Sequence, residues 1–219
     1  MAIVYRPVQC ALTIVLESAL HIGTGLGLGQ LLDELTVQGP HPDVDDIELP
    51  YIPGASLKGR LRHHVRQLSG VLLNNPQEHR LAEAHLFGFD NRAGGLIFVD
   101  AHLPAGLARS LKVDPALSAL FVRGERSFVS LSRQRRVALE ERLFRIQLAE
   151  HGLSFATTVH GHLPAASAAR DLGLLLASAR DLTHLGGHKG RGLGRCRIDI
   201  GEVRLNGEAL DWRKLVEKL

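Results

Sequence analysis

The sequence has few aromatic residues, two cysteines and no long hydrophobic run, and each shortage excludes a class of protein. Phe, Trp and Tyr make up only 5% of the 219 residues, so a surface that binds single strands by base stacking is poorly supported. Cys10 and Cys196 alone cannot form a zinc cluster, and we expect both to be reduced core thiols. No apolar run is long enough to span a membrane, and the N-terminal MAIVYRPVQC lacks a signal-peptide pattern. We therefore expect a cytoplasmic protein with no membrane partner.

Short catalytic and nucleotide-binding motifs are also missing. The glycine-rich stretch HLGGHKGRGLGR, His184 to Arg195, lacks the Gly-Lys-Ser/Thr of a P-loop. It also follows a predicted helix and leads into a strand, which reverses the order of a dinucleotide-binding motif. The 12 histidines include no HExxH pair, and we expect each to be a surface or core residue rather than a metal ligand. His21, beside a glycine-rich turn, is the histidine best placed to contact RNA or act as a general acid or base.

Positive charge is concentrated in three segments, although the formal net charge is only +3. Residues 56–66, 123–136 and 186–197 each contain four or five lysines or arginines and at most one acid. If the three segments converge in the fold, they form a surface that attracts a polyanion. If they do not, they are three separate solvated faces. Their number, and the glycines in the third, favour nucleic acid as the partner.

Hydrophobic spacing predicts an α+β domain with an antiparallel sheet backed by two helices, of the ferredoxin-like kind. Leu12, Ile14 and Leu16 alternate with less apolar residues as in a strand. The chain from Leu31 to Pro50 is predicted as an irregular loop with room for a small hairpin. The later predictions are a helix from an N-cap at Ser56 to Gly70, a strand over Gly95–Pro104, a β-hairpin within Val137–His162, a helix between Pro164 and Gly186, a closing strand pair that turns at Asn206, and a tail helix over Trp212–Leu219.

Acidic residues cluster before the first predicted helix. They are Asp33, Glu34, Asp43, Asp45 and Asp46. Paired carboxylates can hold Mg²⁺, but acidic loop residues are more often only solvated. Composition does not choose one of the five over the others.

Four stretches, in this order along the chain, resemble one family. They are LHIGTG, ELPYIPGASLKGRLRHHVRQL, LFGFDNRAGGLIFVDAHL and HLGGHKGRGLGRCRI. Together they resemble the RAMP (repeat-associated mysterious protein) superfamily of CRISPR systems, and within it the backbone subunit of type III Csm and Cmr effector complexes. The resemblance covers most of the chain. It implies a modified ferredoxin-like fold, similar to an RNA-recognition motif, in a single domain of residues 1–219 with an inserted thumb hairpin at about 121–140.

The resemblance also implies partners and a reaction. The partners are a guide crRNA, a complementary target RNA, further copies of the same subunit and other effector subunits. Asp33 stands where the family has the acid that cleaves target RNA at regular intervals, with Mg²⁺ or another divalent cation and no organic cofactor. Asp33 is therefore also the candidate metal ligand. The stretch around it departs from the commoner family pattern, because Glu34 and Leu35 follow where a small residue and proline are usual.

The resemblance also implies a groove in which RNA phosphates contact the basic helix, the thumb and the glycine-rich loop. The residues expected to bind RNA are His21, Ser56, Lys58, Arg60, Arg62, Arg123, Arg126, Arg133, Arg135, Lys189, Arg191 and Arg195. Sequence would then be read by base pairing rather than by side chains. Three alternatives stay open: a backbone subunit that does not cleave, a guide-RNA-processing endoribonuclease of the same superfamily, and an RNA or phospholigand module unrelated to CRISPR.

Overall fold

A computed structural model of the chain describes residues 3–25, 33–73, 75–131 and 138–219. The strands of these residues are β1 (Tyr5–Leu16), β2 (Gln38–His41), β3 (Val44–Pro50), β4 (Gly88–Phe89), β5 (Arg92–Ala93), β6 (Leu96–Phe98), β7 (Gly124–Leu131), β8 (Ala138–Leu148), β9 (Ser154–Pro164), β10 (Cys196–Leu205) and β11 (Glu208–Leu210). The helices are α1 (Gly54–Leu72), α2 (Pro76–Phe87), α3 (Ala105–Val113), α4 (Pro115–Val122), α5 (Ala168–Asp181) and α6 (Trp212–Val216). A short 3-10 turn, Lys189–Arg191, lies between α5 and β10.

The main sheet has five strands in the order β11-β10-β1-β9-β6, and every neighbouring pair is antiparallel. Helix α1 lies between β1 and β6 in the chain, and α5 lies between β9 and β10. The principal elements therefore run β-α-β-β-α-β, which is consistent with the predicted ferredoxin-like arrangement. Helix α1 contacts α5 and β6, and α5 contacts β9 and β10. The predicted α+β class is confirmed.

The core lies between the sheet and these two helices. Along β1 the side chains of Val8, Cys10, Leu12, Ile14 and Leu16 are buried in alternation with more exposed neighbours, as a strand with one covered face requires. The apolar face of α1 supplies three fully buried side chains at helical spacing, Leu57, Leu61 and Val65. Both cysteines are free and buried, and burial raises the pKa of each thiol to about 12. At that pKa the thiols are not reactive at neutral pH.

Several predicted boundaries are wrong, for local reasons. Helix α1 begins at Gly54, so Ser56 lies inside the first turn and is not the N-cap. The Asp100 carboxylate instead accepts a hydrogen bond from the Gly54 backbone N–H at 2.7 Å. Pro164 ends strand β9, and α5 starts only at Ala168. The predicted strand Gly95–Pro104 is reduced to the three residues of β6 and two isolated bridges.

The two strands expected within Val137–His162 exist, but they do not pair with each other as a hairpin. Strand β8 pairs with β7, whereas β9 pairs with β1 and β6. The chain passes between the two sheets at Gly152, which has a left-handed φ of 84°. Of the range predicted for the thumb, about 121–140, the structure describes the end of α4, strand β7 and the start of β8, while residues 132–137 lie outside the described residues.

Other local predictions fit the fold. Strands β2 and β3 form the small hairpin, and β10 and β11 turn at Asn206, whose φ is 57°. Helices α2, α3 and α4 were not predicted. Within the described ranges, none of the helices combines the length and the hydropathy needed to cross a membrane.

Candidate nucleic-acid interface

The glycine-rich loop, residues 184–195, is fixed to the chain segment that follows β1. The backbone N–H of Gly194 donates to Ala19, at 2.8 Å, and that of Gly187 donates to His21, at 2.9 Å. Gly186 and Gly194 have left-handed φ values of 73° and 78°. A Cβ atom at Gly186 would collide with the carbonyl oxygen of His21, and a Cβ atom at Gly194 would collide with that of Leu185. These two glycines therefore allow close backbone packing. The loop cations Lys189 and Arg191 are exposed.

The same loop packs on the β7–β8 hairpin. Leu193 is 1% exposed and belongs to a small apolar cluster with Ala19, Ile146 and Leu148. The guanidinium carbon of Arg191 lies 4.4 Å from the ring centre of Phe144, within cation–π range. Lys189 and Arg191 themselves are exposed. The loop cations thus stand beside the hairpin, which carries another of the three basic segments.

Helix α1 also contacts the loop. The Nε of Arg60 donates to the carbonyl oxygen of His184 at 3.4 Å, a long hydrogen bond. Lys58 and Ser56 lie earlier in the helix and are half-buried, and Lys58 has no ion-pair partner among the residues that the structure describes. Arg62 differs, because its guanidinium donates to Glu83 at 2.6 Å and to the Gly88 carbonyl at 3.1 Å. Arg62 therefore ties α1 to α2.

The remaining predicted RNA-binding arginines divide into three groups. Arg123 is exposed at the end of α4. Arg126 and Arg195 are exposed and paired with Glu150, at 3.2 Å, and Glu17, at 2.9 Å. Such exposed pairs contribute only about 0–1 kcal/mol each, so a phosphate can compete for these guanidiniums. Arg133 and Arg135 lie outside the described residues.

The acidic residues are separated by the fold. Asp33 pairs with strand β8: its N–H donates to the Arg145 carbonyl at 3.0 Å, and its Oδ2 accepts the Arg145 N–H at 2.7 Å. The Asp33 side chain is exposed, and one of its carboxylate oxygens is engaged by the backbone of β8. Asp45 and Asp46 lie instead at the start of β3, beside the β2–β3 turn, where Lys112 of α3 contacts the Asp45 carbonyl at 2.7 Å and the Asp46 carboxylate at 3.9 Å. Asp43 lies at the same turn.

Glu34 belongs to a cluster with two histidines that sequence reasoning did not assemble. Its Oε2 lies 3.0 Å from Nε2 of His21 and 2.9 Å from Nε2 of His188. The hydrogen bond from His188 lowers the pKa of Glu34; partial burial opposes this, and the nearby His188 and His21 charges add to it. His21 was expected to contact RNA, but it is only 2% exposed. RNA therefore has little access to this side chain in the free protein. No local motif links positions 21, 34 and 188: the sequence singles out His21 and Glu34 separately, and His188 not at all.

His188 adopts a backbone conformation that is uncommon outside glycine. Its φ is 55° in the left-handed region, just before the Lys189–Arg191 turn. Such conformations cost of order 1–3 kcal/mol and persist when surrounding contacts hold them. Here the contact is the hydrogen bond to Glu34, which aims the His188 ring inward.

Comparison with known proteins places the chain in a family. No curated protein sequence matches it. Its fold is similar to a chain in the cryo-EM structure of type III-B Cmr-beta bound to cognate target RNA, with a TM-score of 0.60 and 14% identity over 88% of this chain and 96% of that chain. The sequence profile of the RAMP superfamily matches residues 13–197. The chain belongs to the RAMP superfamily.

Proposed function

We propose that the protein is a guide-RNA-binding subunit of a type III CRISPR effector complex and that Asp33 cleaves the complementary target RNA. Membership of the RAMP superfamily supports the class of partner. The fold shared with a chain of an RNA-bound type III-B complex supports it further. The observation that carries the cleavage is the position of Asp33, an exposed carboxylate held by β8 whose neighbour Glu34 contacts the glycine-rich loop at His188.

The proposed RNA surface consists of the glycine-rich loop, the first turns of α1 and the β7–β8 hairpin. Arg191 packs on Phe144, and Arg60 reaches the loop backbone at His184, so the three elements adjoin. Exposed lysines and arginines bind phosphate without regard to base sequence. Guide recognition would then rest on backbone phosphates, while base pairing selects the target. Arg62 is left to a structural role in this proposal, because Glu83 engages it.

The proposed reaction uses a nucleophile that the RNA supplies. Bound at this surface, a ribose 2′-hydroxyl gives its proton to the Asp33 carboxylate as its oxygen attacks the adjacent phosphorus. The bond from phosphorus to the next nucleotide's 5′-oxygen breaks, and that oxygen takes a proton from solvent. The products are a 2′,3′-cyclic phosphate and a 5′-hydroxyl, and DNA is spared because it lacks the 2′-hydroxyl.

A divalent cation fits this site because Asp33 offers a carboxylate and bound RNA would offer phosphates, not because the protein forms a complete metal-binding cage. Mg²⁺ in proteins is commonly held by one or two carboxylates together with substrate phosphates, and Asp33 offers one exposed carboxylate at a surface rich in cations. When bound, such an ion would neutralise the negative charge that develops on the phosphate. Asp33 would be its protein ligand.

The experiment is target cleavage by a reconstituted complex. The subunit is assembled with its partner subunits on a defined guide, and end-labelled complementary RNA is added with Mg²⁺ or EDTA. We expect regularly spaced cuts with Mg²⁺ and none with EDTA. A target carrying a single 2′-deoxynucleotide at one cut position should lose that cut and keep the others.

Two further arms separate the alternatives. A target that stays intact despite tight guide and target binding would mean a structural backbone subunit that does not cleave. Cutting of a repeat-containing guide precursor without any target would mean a guide-processing endoribonuclease.

A further inference from the structure

Three side chains from distant parts of the sequence converge beneath the glycine-rich loop. His21 follows β1, Glu34 precedes β2, and His188 lies in the loop itself. Their ligand atoms, Nε2 of each histidine and a carboxylate oxygen of Glu34, all lie within 4.8 Å of one another. Convergence of this kind brings together the donor atoms that a metal ion requires.

The tautomer of His21 is fixed by its surroundings. Its Nδ1 lies 2.9 Å from the backbone carbonyl oxygen of Gln147, which can only accept, so Nδ1 carries the proton. The Thr36 hydroxyl donates to the same carbonyl oxygen at 2.6 Å. Histidines that bind metals usually donate their second ring N–H to a carbonyl or carboxylate in this way. When the ring is neutral, the Nε2 lone pair of His21 therefore points into the cluster.

That inward nitrogen is buried and lacks a hydrogen-bond partner among the described residues. Glu34 lies 3.0 Å away, but a carboxylate cannot donate to a lone pair, so Glu34 is no partner for the neutral ring. A buried polar atom without a partner destabilises the fold. A cation that accepts the lone pair would remove this cost.

We propose that His21, Glu34 and His188 form a binding site for a divalent transition metal ion of the Zn²⁺ type. Two imidazoles and one carboxylate are the ligand set of several zinc sites that keep a further coordination position open. Imidazole suits Zn²⁺, Co²⁺ and Ni²⁺, whereas Mg²⁺ and Ca²⁺ prefer oxygen ligands. This site is therefore distinct from the cation expected at Asp33, and its metal binding does not depend on RNA cleavage.

The two ligand distances that involve Glu34 require only a small adjustment. Tetrahedral zinc with bonds of about 2.0–2.1 Å separates its ligand atoms by about 3.3–3.4 Å. The two distances from Glu34 to the histidines are 3.0 and 2.9 Å, so the carboxylate has to swing outward by a few tenths of an ångström. Glu34 is 41% exposed on its outer side, which leaves it room to move. Once bound, the metal would join the loop to the residue that follows Asp33.

The test is metal binding by the isolated, tag-free protein after removal of metal with a chelator. Co²⁺ is titrated while its visible absorption bands are recorded, and Zn²⁺ affinity is measured by competition with a chromophoric chelator. We expect one ion per chain. Glu34→Gln and His188→Gln should each weaken Zn²⁺ binding by about 100-fold or more, because each removes a direct ligand, whereas changes one shell further out typically cost 10–100-fold. Mg²⁺ should not compete.

The matched control is His151→Gln, because the His151 side chain is 74% exposed and pairs with Glu150 rather than with this cluster. Circular dichroism shows that each variant is folded before it is titrated. Zn²⁺ should raise the Tm of the wild type and of His151→Gln, but not that of Glu34→Gln. The proposal is overturned if the wild type binds neither ion, or if Glu34→Gln and His188→Gln bind Zn²⁺ as tightly as the control.

Discussion

Alanine substitutions at two glycines of the same loop should have very different effects on stability. Gly186 has a left-handed φ of 73°, and a Cβ atom there would meet the His21 carbonyl. The left-handed conformation alone costs alanine about 1–2 kcal/mol. The backbone must shift to relieve the collision, and this shift breaks the hydrogen bond from the Gly187 N–H to that carbonyl. The lost bond adds about 1 kcal/mol to the destabilisation. Gly186→Ala should therefore lower the free energy of unfolding by about 2–3 kcal/mol.

Gly190→Ala is the matched control, because nothing lies within 4 Å of a Cβ atom at Gly190 and its φ is not left-handed. We expect a change of at most about 0.5 kcal/mol for this variant. Thermal unfolding measures both: for a chain of this size the Tm should fall by about 4–12 °C for Gly186→Ala and hardly change for Gly190→Ala. Equal Tm values for the two variants would refute the assigned packing of the loop against His21.

Other predictions concern single side chains. Burial acts to raise the pKa of Glu83, but hydrogen bonds from Arg66 and Arg62 hold it below the usual range. Glu83→Gln should lower the free energy of unfolding by about 1–3 kcal/mol at neutral pH. Because the folded-state pKa is depressed, urea unfolding should show this difference shrinking as the pH falls below about 4, and a pH-independent difference would contradict the ion pair. Arg191→Lys keeps the charge but loses the planar guanidinium on the ring face, so filter binding should show RNA affinity reduced roughly two- to fivefold; unchanged affinity would remove the stacking from the RNA surface. Lys189→Ala should lower the slope of log affinity against log salt by about 0.7 if it contacts one single-strand phosphate, and an unchanged slope would exclude that contact.

The fold was predictable where hydrophobic spacing is long and regular. The alternation of β1 and the apolar face of α1 both lie in the core as expected. The hairpin expected within Val137–His162 was wrong because alternation identifies a strand but not its partner. Helices α2 and α4 were missed although each begins with a proline, Pro76 and Pro115, after a residue whose side chain caps the helix. That signal was available in the sequence.

The candidate site was only partly predictable. The three basic segments were visible as charge clusters, but their meeting depends on tertiary contacts such as that of Arg191 with Phe144. Asp33 came from the family resemblance, since five acids were equivalent by composition. The structure distinguishes them, because Asp33 accepts a hydrogen bond from β8 while Asp46 lies at the start of β3. The cluster of His21, Glu34 and His188 has no sequence signature, since its members approach one another only in the folded chain.

The central claim, that the Asp33 carboxylate cleaves target RNA, is tested most directly by the single-turnover cleavage rate of complexes carrying Asp33→Asn or Asp46→Asn. Both substitutions keep the side-chain shape and remove one negative charge from an exposed acid. Loss of a general base typically slows a reaction by about 10²–10⁴-fold, so the Asp33→Asn complex should cut at least about 100-fold more slowly while binding guide and target normally. The Asp46→Asn complex should cut at the wild-type rate. Equal cleavage rates for the two complexes would contradict the assignment of Asp33.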